Sequence, residues 1–143
     1  MKKLNKDKIL HKLPSNKVNL KIYHEIDSTN DEAKRIELDK DFHVIIAEKQ
    51  TKGRGRLGKK WSSPHSGNIY MTICTENDLS KLPISLITGL ICKKAINRIS
   101  NKPIITLKWP NDILLNNKKI GGILVESEAV SYTHLTLPTK RIV

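Results

Sequence analysis

The sequence has few of the residue types that mark secreted proteins or proteins that stack single-stranded bases. Its 143 residues include only two cysteines and six aromatic residues. Cys74 and Cys92 each lie inside an apolar segment, which argues against a disulfide framework and against a cysteine-based zinc site. The sequence also lacks the interleaved arginines and aromatic residues that stack single-stranded bases.

Long hydrophobic runs are absent as well. No stretch of about 18 uncharged apolar residues is present that could span a bilayer. The start of the chain, MKKLNKDKIL, is basic but has neither the apolar stretch nor the cleavage site of a secretory signal. We therefore expect a soluble cytoplasmic protein of one domain with no membrane partner.

The net charge of +12 is compatible with three classes of partner. These are nucleic acid, an acidic protein and a phosphorylated substrate. Many of the lysines are scattered, as in KKLNKDK, and this spread is typical of a solvated surface. Charge alone therefore does not choose among the three classes.

The hydrophobic pattern predicts an α+β fold, with a mixed or antiparallel β-sheet backed by α-helices on one face. One helix is predicted to begin at Ser28 and Thr29, because Thr29 and Glu32 have the spacing of a capping box. A long amphipathic helix is predicted from Pro83 to Ile99. The predicted strands are HVIIAE (43–48), NIYMTIC (68–74), IITLKW (104–109), ILL (113–115) and IGGILVE (120–126), the last two joined as a hairpin through NNKK.

Residues 53–60, GRGRLGKK, combine three glycines with four cations. The segment satisfies the dinucleotide pattern G-x-G-x-x-G, but KKWSSPHSGN follows where a Rossmann site needs a helix. Glycines let backbone amides approach an anion, and the planar fork of arginine suits carboxylate and phosphate. This interpretation predicts a loop that is mobile when empty and ordered when an anion binds. The alternative is a solvated basic turn.

A second polar segment lies in LKWPNDILLNNKKIGGILVE, where Lys108, Asn111 and Asp112 surround a Trp-Pro bend. A lysine and a carboxylate four residues apart across such a bend can hold a nucleotide phosphate and its magnesium ion. Lys119, at the exit of the predicted hairpin, can offer its ammonium group to a carboxylate or a phosphate. The alternatives are a turn-forming role for Asp112, a solubilising role for Lys119 and a core position for Trp109.

Together these motifs resemble the catalytic domain of biotin protein ligases. The resemblance covers roughly residues 20–128 and implies a fold like that of class II synthetases. We expect residues 1–128 to form the N-terminal part of such a domain and residues 129–143 to be a tail of doubtful origin, since nothing in it matches the family. The matching segments are DSTN (27–30), AEKQTKGRGRLGKKWSSPHSGNIY (47–70), LKWPND (107–112) and KKIGGILVE (118–126).

The resemblance implies a reaction in two steps that uses ATP and Mg²⁺. The carboxylate of biotin attacks the α-phosphorus of ATP to give biotinyl-5′-adenylate and pyrophosphate. A lysine on the biotin carboxyl carrier protein domain of a biotin-dependent carboxylase then accepts the biotinyl group. Too few residues precede the matching region for the winged-helix domain of larger members, so DNA binding is not expected. A homodimer stays open.

The resemblance also gives roles to matching positions. The residues that it implies bind biotin are Ser28, Thr29, Asn30, Gln50, Arg54, Gly55, Arg56 and Lys119. ATP binding falls to Arg56, Lys59, Trp61, Lys108, Asn111 and Asp112, with Asp112 as the magnesium ligand. The catalytic residues are Lys119, Arg54 and Arg56, because attack on phosphorus develops negative charge that these cations neutralise. No side-chain nucleophile is needed, and His65, in a Ser-Pro-His-Ser-Gly turn, is interpreted as a loop histidine.

Three alternatives stay open. A lipoate or octanoate ligase of the same superfamily has a similar fold but lacks the pairing of GRGRLG with KWPND. A basic nucleic-acid-binding module is compatible with the charge and predicts an affinity that falls steeply with salt. An inactive fragment would keep the motifs without a complete fold.

Overall fold

The computed structural model describes residues 4–100, 105–129 and 139–142. They form two compact units, one of residues 4–78 with 127–129 and 139–142, and the other of residues 79–100 and 105–126. In chain order the elements are α1 (Lys6–Leu10), β1 (Val18–Tyr23), α2 (Thr29–Arg35), β2 (Phe42–Ala47), β3 (Tyr70–Thr75), α3 (Ile84–Ile99), β4 (Ile105–Lys108), β5 (Asp112–Leu115), β6 (Lys118–Gly122), β7 (Glu126–Ala129) and β8 (Thr139–Ile142).

A mixed five-stranded sheet with strand order β1-β2-β3-β8-β7 organises the first unit. β1 runs parallel to β2, which pairs antiparallel with β3. The predicted α+β class with a mixed sheet is therefore confirmed, and the predicted strands at 43–48 and 68–74 form within one or two residues of their expected bounds. The sequence analysis missed β1, VNLKIY, although its apolar residues alternate with Asn19 and Lys21, which is the period-two pattern of a strand.

Helix α2 packs on this sheet through Ala33, which joins Ile36, Ile45 and Cys74 in a buried cluster. Cys74 is thus the small core residue that was predicted. The helix begins where expected, but its cap is Ser28, whose Oγ accepts a hydrogen bond from the Asp31 backbone N–H at 3.3 Å.

The predicted Thr29–Glu32 capping box is wrong. Ser28 occupies the N-cap position, so Asp31, and not Glu32, is the third residue of the helix. The Glu32 carboxylate instead accepts a hydrogen bond from the Tyr23 hydroxyl at 2.6 Å. Burial, together with this bond, raises the pKa of Tyr23 to about 12.

The second unit combines α3 with an antiparallel sheet in the order β4-β5-β6. The long helix predicted from Pro83 to Ile99 is confirmed, with Pro83 as its N-cap. The buried core consists of Ile105, Ile113 and Ile123, with Cys92 half-buried against it.

The predicted hairpin between β5 and β6 is confirmed, with a tighter turn than expected. Asn116 and Asn117 have φ values of 48° and 61°, the left-handed pair that a two-residue hairpin turn requires. Lys118 and Lys119 therefore belong to β6 and not to the turn.

The prediction of one strand over 120–126 is wrong. β6 ends at Gly122, and β7 begins at Glu126. Between them the backbone N–H of Ile123 donates to the Asn111 carbonyl at 2.9 Å, and the Ile123 side chain enters the core of the second unit.

The C-terminal tail is described in part. Residues 130–138 lie outside the described residues, so the expectation of a tail of doubtful origin after residue 128 stays a prediction. Residues 139–142 form β8, antiparallel to β3, with Cys74 opposite Ile142. Within the described ranges, no helix has the length and apolar character needed to cross a membrane.

Candidate functional site

A polar cluster forms where α2 begins, at the end of the parallel strands β1 and β2. Thr29 donates to the Gln50 Oε1 atom twice, from its backbone N–H at 2.8 Å and from its Oγ1 at 3.0 Å. The Gln50 Nε2 atom donates to Ser63 Oγ at 3.0 Å. Ser28, Thr29 and Ser63 are all buried. Thr29, Gln50 and Ser63 therefore form a fixed polar surface, which we call the polar floor, and not a set of solvated side chains.

Chain topology explains how three distant segments meet in this cluster. Because β1 and β2 are parallel, the residues that follow them leave the same edge of the sheet. Gln50 pairs with Ile26 on one side and with Ser63 on the other. The DSTN motif and Gln50 were both predicted to bind biotin, and the fold brings them into direct contact.

Thr72 completes the floor and was missed by the sequence analysis. It is fully buried in β3, with its Oγ1 atom 2.8 Å from Thr29 Oγ1 and 2.6 Å from Asn30 Oδ1. A signal was available in NIYMTIC. Tyr70, Thr72 and Cys74 share the buried face of β3, so a hydroxyl at the central position indicates a buried polar partner.

Arg54 lies at the rim of this cluster. Its Nη1 atom is 2.8 Å from the Asp31 carboxylate and 3.3 Å from Ser28 Oγ. The guanidinium is therefore held against the first turn of α2 by a residue, Asp31, that the sequence analysis did not name. A half-buried arginine held in this way is a preformed site for a carboxylate or a phosphate.

The segment GRGRLGKK forms a small hairpin-like loop. Arg54 pairs with Lys60, and the Trp61 backbone N–H donates to the Gly53 carbonyl at 2.9 Å. Residues 56–58 form a short 3₁₀ turn at the tip. Arg56 and Lys59, which were predicted to contact biotin or ATP, are exposed there, whereas Trp61 at the base is half-buried.

The glycines of the loop have different structural roles. A Cβ atom at Gly53 would lie 2.6 Å from both Ser63 Oγ and the Trp61 carbonyl, so only glycine fits there. Gly58 has a φ of 70°, in the left-handed region that favours glycine. Gly55 has room for a side chain, since its nearest neighbour would be 3.7 Å away. Packing thus explains the glycine at position 53, and backbone conformation explains the glycine at position 58.

Asp27, the first residue of the DSTN motif, orients the cluster. Its Oδ1 atom accepts hydrogen bonds from the Ser28 backbone N–H at 2.7 Å and from Arg35 Nη1 at 3.1 Å. The Arg35 guanidinium and the Ser28 N–H lower the pKa of Asp27 to about 2. The carboxylate therefore stays ionised and holds the turn that precedes α2.

In the second unit, the KWPND segment forms the bend between β4 and β5. Lys108 lies directly opposite Asp112 in the antiparallel pair, so both side chains leave the same face. Asn111 is held by Ile123, whose carbonyl accepts from the Asn111 Nδ2 atom at 3.0 Å. The alternative of a core position for Trp109 is wrong, because that side chain is 84% exposed.

Lys119 and Asp112 form an ion pair in this unit. The Lys119 Nζ atom lies 2.7 Å from Asp112 Oδ1, and both side chains remain partly open to solvent. The pairing depends on the hairpin, which places β6 beside β5. Because both groups reach solvent, each can leave the other and pair instead with an opposite charge on a ligand.

The same bend lines a pocket of about 110 Å³. This is smaller than the usual enclosed ligand site of about 300–1,000 Å³, so it suits one part of a ligand. The Ser85 hydroxyl, at the start of α3, donates to the Pro110 carbonyl at 2.9 Å and fixes the pocket wall. The polar and charged residues among those lining it are Ser85, Lys108, Asn111 and Asp112.

The fold thus brings the predicted residues together in two sets, one in each unit. The first unit holds Ser28, Thr29, Asn30, Gln50, Arg54, Gly55, Arg56, Lys59 and Trp61, and the second holds Lys108, Asn111, Asp112 and Lys119. The ligands assigned to these residues stay predictions.

Comparison with known proteins decides the family. The model of the biotin/lipoate A/B protein ligase family matches residues 23–137. The chain belongs to this family.

Two curated relatives are ligases by name. The chain is 36% identical over 105 residues to the bifunctional ligase/repressor BirA of Escherichia coli, covering 71% of this chain and 32% of the relative. It is 34% identical over 106 residues to the biotin--[acetyl-CoA-carboxylase] ligase of Paracoccus denitrificans, covering 71% and 44%. The chain therefore spans less than half the length of these two relatives.

Two solved structures have the same fold. The biotin protein ligase of Leishmania major in complex with biotinyl-5-AMP matches with a TM-score of 0.70 and 31% identity, over 87% of this chain and 55% of that one. The biotin protein ligase of Aquifex aeolicus in complex with biotin and ATP matches with a TM-score of 0.63 and 32% identity, over 87% and 50%.

Proposed function

We propose that this chain binds biotin and ATP, forms biotinyl-5′-adenylate and transfers the biotinyl group to a lysine of a biotin carboxyl carrier protein domain. One observation carries the proposal: the polar floor of Thr29, Gln50 and Ser63 has the half-buried Arg54 at its rim. This arrangement offers neutral hydrogen-bonding groups beside a fixed cation. Biotin has the matching features, a neutral ureido group and a carboxylate.

The polar floor would bind the ureido end of biotin. A ureido group has two N–H donors and one carbonyl acceptor, and amide and hydroxyl side chains can satisfy both kinds. Such groups are offered by Ser28, Thr29, Asn30 and Gln50. Thr29 is fixed by Gln50, Asn30 by Thr72 and Ser28 by Asp31 before the ligand arrives. Lipoate and octanoate have no ureido group, so this floor favours biotin over those acids.

The cations would bind the carboxylate of biotin and the phosphate of the adenylate. Arg54 and Arg56 would act from the loop, with Gly55 between them allowing close approach of the backbone. Lys119 would stabilise the charge that develops at the mixed anhydride. Attack of a carboxylate on phosphorus needs positioning and charge neutralisation and no protein nucleophile.

The KWPND bend would bind ATP, through Lys108, Asn111 and Asp112. Mg²⁺ binds one or two protein oxygens together with substrate phosphates and waters. Asp112 fits this need with a partly exposed carboxylate, and Asn111 keeps its Oδ1 atom for an oxygen contact while its Nδ2 atom donates to Ile123. Bound there, the ion would neutralise phosphate charge.

The acceptor would be a carrier domain of a carboxylase. The name of the Paracoccus denitrificans relative supports a carboxylase as the acceptor's source. A net charge of +12 favours encounter with an acidic carrier surface. A cytoplasmic location, expected from the sequence, is a further part of the proposal, and a homodimer stays open.

The experiment is biotin-dependent release of pyrophosphate from ATP by the full chain. We expect release with biotin and ATP together, and much less when lipoate replaces biotin. A Ser28→Ala, Gln50→Ala double variant should lose the preference between the two acids. Equal turnover of biotin and lipoate by the unchanged chain would contradict the biotin assignment.

A further inference from the structure

Three side chains outside the proposed ligand site meet at the edge of the five-stranded sheet. The Glu48 Oε2 atom lies 2.7 Å from His24 Nδ1 and 3.1 Å from His65 Nε2. The ligand atoms of all three residues lie within 4.8 Å of one another. The two imidazole rings are tilted by 54° to each other, with centroids 4.9 Å apart.

The fold builds this group from three separate segments. Tyr23 pairs with Ala47 at the end of the parallel strands β1 and β2, so His24 and Glu48 are the next residues to leave the sheet at the same edge. His65 comes from the turn that follows Ser63. Because Ser63 pairs with Gln50, that turn returns to the same edge. The prediction that His65 is only a loop histidine therefore overlooked its neighbours.

The carboxylate at the centre is fixed, whereas the imidazoles can adjust. Glu48 is buried, and its Oε1 atom accepts from the Leu4 backbone N–H at 3.4 Å. The side chains of His24 and His65 are 71% and 38% exposed.

We propose that His24 Nδ1, the Glu48 carboxylate and His65 Nε2 form a binding site for a divalent transition-metal ion of the Zn²⁺ class. Zinc bonds of about 2.0–2.2 Å in tetrahedral geometry place ligand atoms about 3.3 Å apart. The two Glu48–imidazole separations of 2.7 and 3.1 Å lie within about 0.6 Å of this value. The two imidazole nitrogens lie within 4.8 Å of each other, so the exposed rings would have to bring them closer by up to about 1.5 Å. Solvent would supply the fourth ligand.

The donor set selects the class of ion. Two imidazoles and one carboxylate suit Zn²⁺ and its neighbours, whereas Mg²⁺ and Ca²⁺ prefer ligands that are all oxygen. The site is thus chemically distinct from the Mg²⁺ contact proposed at Asp112.

A bound ion would connect the sheet edge to the turn that contains His65. Glu48 is two residues before Gln50, and His65 is two residues after Ser63. The ion would therefore hold together the two segments whose Gln50–Ser63 contact forms the polar floor. The proposal rests on this geometry and does not depend on the proposed ligase function.

The test is Zn²⁺ titration of the metal-free full chain by calorimetry, with Co²⁺ absorption as a second readout. We expect one site per chain and the visible band of four-coordinate Co²⁺. His24→Ala and His65→Ala should each weaken Zn²⁺ binding by more than about 100-fold, because even loss of a second-shell partner costs about 10–100-fold. Excess Mg²⁺ should not displace the bound ion.

The control is His11→Ala, which removes an exposed histidine from outside the cluster and should bind Zn²⁺ as the unchanged chain does. Zn²⁺ should also raise the Tm of the unchanged chain and leave the Tm of both cluster variants in place. No Zn²⁺ binding by the unchanged chain would overturn the proposal. Equal binding by the unchanged chain and by the three variants (His24→Ala, His65→Ala and His11→Ala) would overturn it as well, because the ion would then be bound elsewhere.

Discussion

Gln50 and Thr29 are joined by two hydrogen bonds across 21 residues of sequence. Oε1 of Gln50 accepts from both the backbone N–H and the hydroxyl of Thr29, at 2.8 and 3.0 Å. The first turn of α2 is thereby tied to the segment that leads into the glycine-rich loop. The motif proposed to bind biotin and the segment that enters the glycine-rich loop are thus parts of one hydrogen-bonded structure.

Replacing Gln50 by Ala should weaken both this structure and biotin binding. Thr29 and Ser63 would each lose a partner, and an unsatisfied buried group costs about 1–3 kcal/mol. Gln50→Glu keeps the acceptor for Thr29 and should be less destabilised than Gln50→Ala. Urea unfolding and biotin calorimetry measure the two effects. Unchanged biotin affinity in Gln50→Ala would remove this residue from the site.

Gly53 and Gly55 should respond differently to alanine. Gly53→Ala forces a methyl group to 2.6 Å from the Trp61 carbonyl and Ser63 Oγ, and such overpacking costs about 1–3 kcal/mol. Gly55→Ala meets nothing closer than 3.7 Å at an extended backbone position and should leave stability within about 1 kcal/mol of the unchanged chain. Thermal melts of the two variants measure the difference. Equal loss of Tm in both would contradict the packing role of Gly53.

Thr72 should act through its hydroxyl group and not through its volume. Thr72→Val keeps the shape but removes the group that contacts Thr29 and Asn30, with an expected loss of about 1–3 kcal/mol and weaker biotin binding. Thr72→Ser keeps the hydroxyl and should bind biotin nearly as well as the unchanged chain. Calorimetry with both variants separates the two effects. Weaker binding by Ser than by Val would show that packing dominates.

Lys119 should be required for adenylate formation, and its neighbour Lys118 should not. Lys119 pairs with Asp112 near the KWPND bend, whereas Lys118 is exposed one residue earlier in β6. Loss of a cation that stabilises the transition state costs about 100- to 1,000-fold in rate. We therefore expect Lys119→Ala to lower pyrophosphate release by at least about 100-fold and Lys118→Ala to have little effect. Similar rates in the two variants would exclude a catalytic role for Lys119.

Asp27 makes stability depend on pH in the acid range. Its pKa is lowered from 3.8 to about 2, chiefly by Arg35, so its contribution is present above about pH 4 and is lost as the pH falls toward 2. Arg35→Gln should raise the pKa of Asp27. The free energy of unfolding of this variant should then fall less steeply between about pH 4 and pH 2.

Urea unfolding at several pH values measures this pH dependence, and Arg98→Gln, which removes an exposed arginine from α3, is the control. An identical pH dependence in Arg35→Gln and in the unchanged chain would show that Asp27 gains nothing from Arg35.

Elements with a strong local pattern were predictable from sequence. The period of apolar residues in α3 and the β-branched runs of β2 and β3 survive in the fold because local propensity and burial agree there. β1 was also predictable, since its apolar residues alternate with Asn19 and Lys21, but the sequence analysis missed this short pattern. The break after Gly122 was hidden, because it depends on the hydrogen bonds of Asn111 with Ile123.

The motifs predicted which residues belong to the candidate site, but not how those residues contact one another. The DSTN and Gln50 segments were named, but their contact depends on parallel pairing of β1 with β2. Asp31 was missed because its importance comes from Arg54, which is far away in sequence. Thr72 was missed although its place on the buried face of β3 was a local signal. The polar contacts of a site are long-range, and no local pattern contains them.

The central claim is that the polar floor of the first unit, together with the loop cations Arg54 and Arg56, binds an acyl-adenylate. The direct measurement is calorimetric titration of the full chain with a non-hydrolysable sulfamate analogue of biotinyl-5′-AMP. We predict one saturable site whose affinity falls by at least about tenfold in Arg54→Ala, which corresponds to loss of one charge-assisted contact of about 1.5–3 kcal/mol. No binding by the folded chain, or equal affinity in Arg54→Ala, would contradict the account.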